Sequence, residues 1–167
     1  MRFADNPTAD VDVLVDAPPA AIWPLVSEIS TPARFSSELQ EANWQDEPAA
    51  TGPVPGARFT GRNQHPARGE WTTTSTVTAV DPERLFGWAV GDPDHPAASW
   101  RFELTPEGSG TRLRHWARMG PGPSGITPLI EKMPDKEERI IAGRLEEWRR
   151  NMTATVEGIK ALAEGRS

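Results

Sequence analysis

The apolar positions of the last long segment, residues 135–163, recur every three or four residues. This spacing places the large apolar side chains on one stripe of an α-helix: Ile141, Leu145, Trp148, Met152, Val156, Ile159 and Leu162. Asp135 and Glu138 have the spacing of a capping box, and Gly165 supplies a stop signal. A helix of this length is about 40 Å long, so its stripe needs a large apolar surface to lie on.

Most of the chain before this helix alternates apolar and polar residues with a period of two. The alternation predicts strands at residues 9–15, 42–44, 57–63, 71–80, 85–90, 99–105 and 111–119. Short runs rich in proline and glycine separate most of the later strands, so we expect antiparallel pairing and a strongly bent sheet. Two short helices should follow the first strand, one near residues 22–26 and limited by Pro24, the other around Phe35 and ending near Leu39.

These elements predict an α+β helix-grip fold. A bent antiparallel sheet of about seven strands would wrap around the C-terminal helix. We expect a single domain over residues 1–167, with its core at 8–164 and with flexible residues 1–8. Because a bent sheet and a long helix leave space between them, the fold predicts an enclosed apolar pocket.

Composition excludes several classes of function. A formal charge of −6 gives no support for nucleic-acid binding, and the absence of cysteine excludes disulfide and thiolate chemistry. No apolar run reaches the length of a signal peptide or a membrane span, which favours a soluble cytoplasmic protein without membrane insertion. Residues 120–125 have the spacing G-x-G-x-x-G, but two prolines remove N–H donors that a pyrophosphate needs, so we interpret them as a loop.

Aromatic residues are the main candidates for the pocket wall, since the chain has seven Trp and five Phe but no Tyr. The predicted ligand-binding residues are Trp44, Phe59, Trp71, Trp88, Trp100, Phe102, His115, Leu145, Trp148 and Met152. The alternative for each ring is that it only fills the core. A register slip of one residue would turn Trp71 and Trp88 to solvent.

The three histidines differ in their predicted surroundings. His65 and His95 precede prolines in turn regions, so we expect both to be exposed. His115 shares a strand face with Leu113 and Ala117, which places it in the apolar pocket. It is then a satisfied core histidine, a ligand anchor or a general acid–base, with its pKa lowered by burial. Nearby residues lack metal-ligand spacing, so we expect no metal and no cofactor.

Several stretches resemble the START-like superfamily, which includes polyketide cyclases and birch-pollen-type allergens (SRPBCC). The resemblance spans roughly residues 9–164 and rests on VDAPPAAIWPLVSEISTPARFSSEL, GARFTGRN, TSTVTAVDPERLFGWAV, SWRFELTPEGSGTRLRHW and the final helix. It implies a deep apolar cavity for a hydrophobic ligand. Some members of the superfamily cyclise or aromatise polyketides, whereas others carry or sense lipids, hormones or pigments.

Two functions therefore stay open. The favoured one is binding of a small hydrophobic molecule, lipid- or polyketide-like, without chemistry. The alternative is a polyketide cyclase or aromatase in the same cavity, with Arg62 polarising a carbonyl and His115 or a water moving protons. In cyclases an arginine facing the pocket is thought to bind carbonyls, and Arg62, Arg68 and Glu70 lie near one strand junction. The lack of Tyr departs from cyclases that use a phenol. Both a monomer and a homodimer are compatible with the sequence.

Overall fold

A computed structural model of the chain describes residues 1–48 and 52–165. These residues form one antiparallel, seven-stranded sheet in the order β1-β7-β6-β5-β4-β3-β2. The strands are β1 Thr8–Val15, β2 Leu39–Trp44, β3 Arg58–His65, β4 Gly69–Asp81, β5 Leu85–Val90, β6 Ala98–Glu107 and β7 Gly110–Met119. The long C-terminal helix packs on this curved sheet, which confirms the predicted helix-grip architecture. From β2 to β7, strands that are consecutive in sequence are also adjacent in the sheet, and each pair is antiparallel.

The described helices are α1 Pro19–Val26, α2 Thr127–Lys132 and α3 Glu137–Ala163, with 3-10 turns at Phe3–Asp5, Thr31–Arg34 and Pro134–Lys136. The second short helix forms as the 3-10 helix Thr31–Arg34, but it is shorter than predicted, since it ends before Phe35 and Leu39 already begins β2. The Ser36 hydroxyl accepts hydrogen bonds from the N–H groups of Glu38 and Leu39, and this local bonding replaces a helix.

The start of α3 also differs from the prediction. Asp135 lies in the preceding 3-10 turn, and Lys136 occupies the N-cap position without a side-chain hydrogen bond, so the capping box does not form. The Glu137 carboxylate instead accepts a hydrogen bond of 2.7 Å from the N–H of Phe3. The ring of Phe3 packs against the core, so the N-terminal residues expected to be flexible are attached to the domain. At the other end Gly165 adopts a φ of 76°, the left-handed conformation expected after a helix.

The helix α3 lies mainly against β1, so one half of the sheet is left uncovered. Its buried apolar stripe is Ile141, Leu145, Trp148, Met152, Val156 and Ile159. Part of this stripe packs with Ala117 and Met119 of β7. A separate cluster on the other half of the sheet contains Phe59, Val77 and Phe86, with no α3 residue among its described members. The space between that cluster and α3 is the site of the cavity.

Candidate ligand-binding cavity

A cavity of about 750 Å³ lies between α3 and the concave face of the sheet. This volume falls within the range of about 300–1,000 Å³ that is typical of small-molecule sites. Eight predicted residues line it: Phe59, Trp71, Trp88, Trp100, Phe102, His115, Trp148 and Met152. The strand register therefore turns Trp71 and Trp88 inward rather than to solvent.

Two predicted wall residues, Trp44 and Leu145, do not line the cavity. Trp44 lies on the edge strand β2 and packs edge-on against Phe59, with ring centroids 5.5 Å apart. Leu145 is buried in the core cluster that includes Ala117 and Met119. Both side chains therefore support the wall from outside the cavity.

We call one part of the cavity the aromatic end, formed by Trp88, Trp100, Phe102, His115 and Trp148. The indoles of Trp88 and Trp100 are stacked with centroids 6.4 Å apart, because the two residues are directly paired across β5 and β6. Trp148 of α3 approaches Trp100 to 4.7 Å. The imidazole of His115 lies parallel to the ring of Phe102 at 4.0 Å. Such an array offers flat apolar surfaces suited to stacking with a ligand ring.

His115 is the one titratable group of the aromatic end and is only 4% exposed. Its Nδ1 lies 3.1 Å from the carbonyl oxygen of Arg101. Burial lowers the pKa of His115 to about 4, and the backbone hydrogen bond opposes that shift only in part. The imidazole is therefore neutral at pH 7. No carboxylate among the described residues hydrogen-bonds to it, so the orienting partner of a general acid–base pair is missing from the described part of the chain.

A second region, which we call the charged rim, consists of Glu38, His65, Arg68, Arg144 and Glu147. Arg144 of α3 donates two hydrogen bonds to the Glu38 carboxylate, at 2.6 and 2.7 Å. Glu147 lies 3.6 Å from Arg144 and contacts the imidazole of His65 directly. Burial alone would raise the pKa of Glu147, but the His65 hydrogen bond and the charge of Arg144 hold it below its ordinary value. These contacts join α3 to the β3–β4 turn and to the start of β2.

Arg68 is the incompletely paired member of the rim. Its guanidinium lies over the ring of Trp71 at 5.0 Å, and both residues line the cavity. Its Nη2 is buried and has no hydrogen-bond partner in residues 1–48 and 52–165. The Glu38 carboxylate lies 3.9 Å away, beyond hydrogen-bond distance, and is engaged by Arg144. Burial and the neighbouring charge of Arg144 lower the pKa of Arg68, and the carboxylates of Glu38 and Glu147 oppose this shift only in part.

The structure contradicts the proposed role of Arg62. This side chain is exposed and pairs with Glu41 at 3.3 Å and Glu70 at 3.5 Å. Gly61 and Asn63 line the cavity, and strand alternation turns the intervening Arg62 to the convex face.

Of the two turn histidines, His95 is exposed as predicted, whereas the prediction for His65 was wrong. His65 is half-buried because Glu147 of α3 reaches over it.

Sequence reasoning did not identify Glu38 or Arg144 as site residues. The available signal was weak: Arg144 precedes Trp148 by four residues, which places both on one face of α3. In the described ranges, the His, Asp and Glu side chains form no group of three that could hold a metal ion, and none of the helices is long and apolar enough to cross a membrane.

Comparisons with known proteins agree with this architecture. The sequence profile of the family described as polyketide cyclase / dehydrase and lipid transport matches residues 7–164. The solution structure of a polyketide-cyclase-like protein from Corynebacterium glutamicum is 30% identical, with a TM-score of 0.65 over 94% of this chain and 91% of that one. No curated protein matches the sequence significantly.

More distant structures share the fold alone. The di-domain ARO/CYC protein StfQ from the steffimycin biosynthetic pathway is 16% identical, with a TM-score of 0.69 over 95% of this chain and 51% of that one. Ara h 8.0201 is 10% identical, with a TM-score of 0.59 over 96% of this chain and 99% of that one.

Proposed function

Because the chain belongs to the polyketide cyclase / dehydrase and lipid transport family, we propose that it binds one small hydrophobic, ring-containing molecule in the cavity between sheet and α3. The observation that carries this proposal is the aromatic end, where Trp88 and Trp100 are stacked beside an open volume rather than packed solidly. A lipid- or polyketide-like molecule with at least one flat ring would fit these surfaces.

The polar groups of the cavity suit a ligand that is not purely hydrocarbon. Arg68 lines the cavity at the rim with a guanidinium that is not fully paired, and a guanidinium pairs with a carbonyl, a carboxylate or another anionic group. The family's arginine–carbonyl contact therefore corresponds better to Arg68 than to Arg62, because Arg68 lines the cavity and Arg62 does not.

A fluorescence titration with N-phenyl-1-naphthylamine, an uncharged two-ring probe, tests the proposal. We expect saturable binding of one probe per chain. Trp100→Ala should weaken it about tenfold, since an aromatic contact contributes about 0.5–1.5 kcal/mol beyond area burial. Trp116→Ala is the matched control, because Trp116 stacks with Arg101 at 3.9 Å on the convex face. Failure of the probe to saturate, or equal loss in both variants, would contradict the proposal.

A cyclase or aromatase is the second candidate. Arg68 would polarise a carbonyl, and the neutral His115 would accept a proton. The missing carboxylate partner of His115 and the absence of Tyr weigh against this candidate. Incubation with a linear poly-β-ketone thioester distinguishes the two functions: binding alone leaves the uncatalysed product distribution unchanged, whereas a cyclase shifts it toward one ring pattern. His115→Gln should abolish such a shift while retaining binding of the uncharged probe.

A further inference from the structure

The hydrogen bond between His115 and the backbone defines what the aromatic end can offer a ligand. The carbonyl oxygen of Arg101 can only accept, so the proton of the neutral imidazole must reside on Nδ1. The other ring nitrogen, Nε2, then carries a lone pair and no proton. No residue in the described part of the chain donates a hydrogen bond to it.

The surroundings of His115 keep this tautomer in place. The imidazole packs on Phe102 and also contacts the rings of Trp88 and Trp100, at centroid distances of 6.2 and 5.5 Å. These neighbours carry no charge that would favour an imidazolium. The ionisable side chains that line the cavity, Glu28, Glu38, Arg68 and Arg144, have no contact with the imidazole in this structure. Protonation would also place a charge in a site that is almost fully screened from water, which explains why the pKa of His115 falls to about 4.

We propose that the aromatic end is a hydrogen-bond-acceptor site: His115 Nε2 selects ligands that present a hydroxyl or phenol to it, and rejects those that present only a carbonyl or an ether. The inference rests on the proposed binding function and deepens it. A carbonyl at this point would face a lone pair and leave both acceptors unpaired, which is costly beside an imidazole that is almost fully buried.

The two polar regions then give the bound molecule a direction. The rim offers a donor, the Arg68 guanidinium, and the aromatic end offers an acceptor, the His115 imidazole. A ligand that satisfies both has a carbonyl or anionic group at the rim and a hydroxyl-bearing ring at the aromatic end. The ligand is therefore a hydroxylated aromatic or a phenolic polyketide-like acid, and it binds with its ring at the aromatic end.

The test compares 2-naphthol with 2-methoxynaphthalene, two probes that share a ring system and differ in the O–H donor. Isothermal titration of the whole chain should give about two- to tenfold tighter binding of 2-naphthol. The preference should vanish in His115→Phe and persist in Arg62→Gln, an exposed control. Equal affinities in the unsubstituted chain would overturn the inference and leave the binding function intact. If neither probe bound, both would fail.

Nitrogen-15 NMR of the imidazole supplies a measurement that does not depend on the folding of any variant. At pH 7 the unsubstituted chain should show a protonated Nδ1 and a bare Nε2, and only 2-naphthol should shift the Nε2 resonance. A protonated Nε2, or an Nε2 shift of the same size with both probes, would overturn the inference.

Discussion

The aromatic end of the cavity draws its rings from three adjacent strands and one helix position, whereas the charged rim draws its side chains from three segments far apart in sequence. Trp88, Trp100 and His115 are placed by the pairing of β5, β6 and β7. Glu38, Arg68 and Arg144 meet only because α3 crosses near the β3–β4 turn. The geometry of the aromatic end thus depends on strand pairing in the sheet, whereas the geometry of the rim depends on the position of α3 relative to the sheet.

The two regions also differ in how much a substitution should lower the free energy of unfolding. Truncating one ring of the aromatic end removes the contacts of that ring and leaves the contacts among the other rings in place. In the rim, removing one ion leaves its partner ion unpaired in a poorly hydrated site. The resulting loss of unfolding free energy is large relative to a total stability of about 5–15 kcal/mol. We therefore expect the Glu38–Arg144 pair of the rim to govern stability, and the aromatic end together with Arg68 to govern ligand choice.

The largest effect should come from deleting α3, which contributes to both regions. Six of its apolar side chains are buried, and each contributes about 1.5–3 kcal/mol. We expect a chain that ends at residue 136 to show no cooperative thermal transition. A truncated chain that retains such a transition and dispersed amide resonances would show that the sheet folds without the helix.

Next in size is Glu38→Gln in the rim. Glu38 and Arg144 are each 13% exposed, so the substitution removes the charge that accepts both hydrogen bonds of Arg144, leaves Glu147 at 3.6 Å as its counter-charge and should cost about 3 kcal/mol. Glu41→Gln is the matched control, because Glu41 and Arg62 are 52% and 48% exposed and separating such a solvated pair should have little effect on stability. Urea unfolding measures both. Similar losses in the two variants would remove the distinction between rim and surface.

A smaller effect should appear in the pH dependence of stability. The pKa of His115 is about 4 in the folded chain and about 6.5 in the unfolded one, so the unfolded state binds more protons between these values. The unfolding free energy should therefore fall as the pH drops below 6.5, by about 1.5 kcal/mol between pH 6.5 and pH 5, because the slope reaches 1.36 kcal/mol per pH unit only once the unfolded imidazole is fully protonated.

His115→Gln isolates this contribution from that of Glu147, whose lowered pKa also makes the fold less stable at acid pH. The variant should lose about 1.5 kcal/mol less than the unsubstituted chain over the same pH interval. Parallel stability curves for the two chains would mean that His115 titrates normally in the fold.

The smallest effect concerns Arg68 and should change selectivity rather than stability. Arg68→Gln should weaken binding of 8-anilinonaphthalene-1-sulfonate about tenfold, since a hydrogen bond to a charged group contributes at least about 1.5 kcal/mol. Binding of N-phenyl-1-naphthylamine, which lacks the sulfonate, should stay the same. Equal weakening of both probes would show that Arg68 only shapes the cavity.

Sequence alone predicted the aromatic end well because strand alternation determines which side chains share a face. Phe59, Trp100, Phe102 and His115 lie on the concave face as their alternation indicates. Trp44 was misplaced because an inward position on an edge strand can lie behind a neighbouring ring, which alternation does not reveal.

The charged rim was not predictable because periodicity carries no information about contacts between distant segments. Glu38 and Arg144 are separated by 106 positions, and their contact depends on where α3 crosses the sheet. The capping prediction at Asp135 failed for a similar reason, since Glu137 is engaged by the N-terminal Phe3 rather than by its own helix.

The most direct test of ligand binding in this cavity uses the methionine methyl groups. The chain contains four methionines, of which Met119 and Met152 line the cavity and Met1 and Met133 do not. In a titration of methyl-13C-methionine protein with N-phenyl-1-naphthylamine, we expect the Met119 and Met152 resonances to shift and to saturate together at one probe per chain, while Met1 and Met133 stay unchanged. Shifts confined to Met1 and Met133, or no saturating shift at Met152, would contradict a ligand site between the sheet and α3.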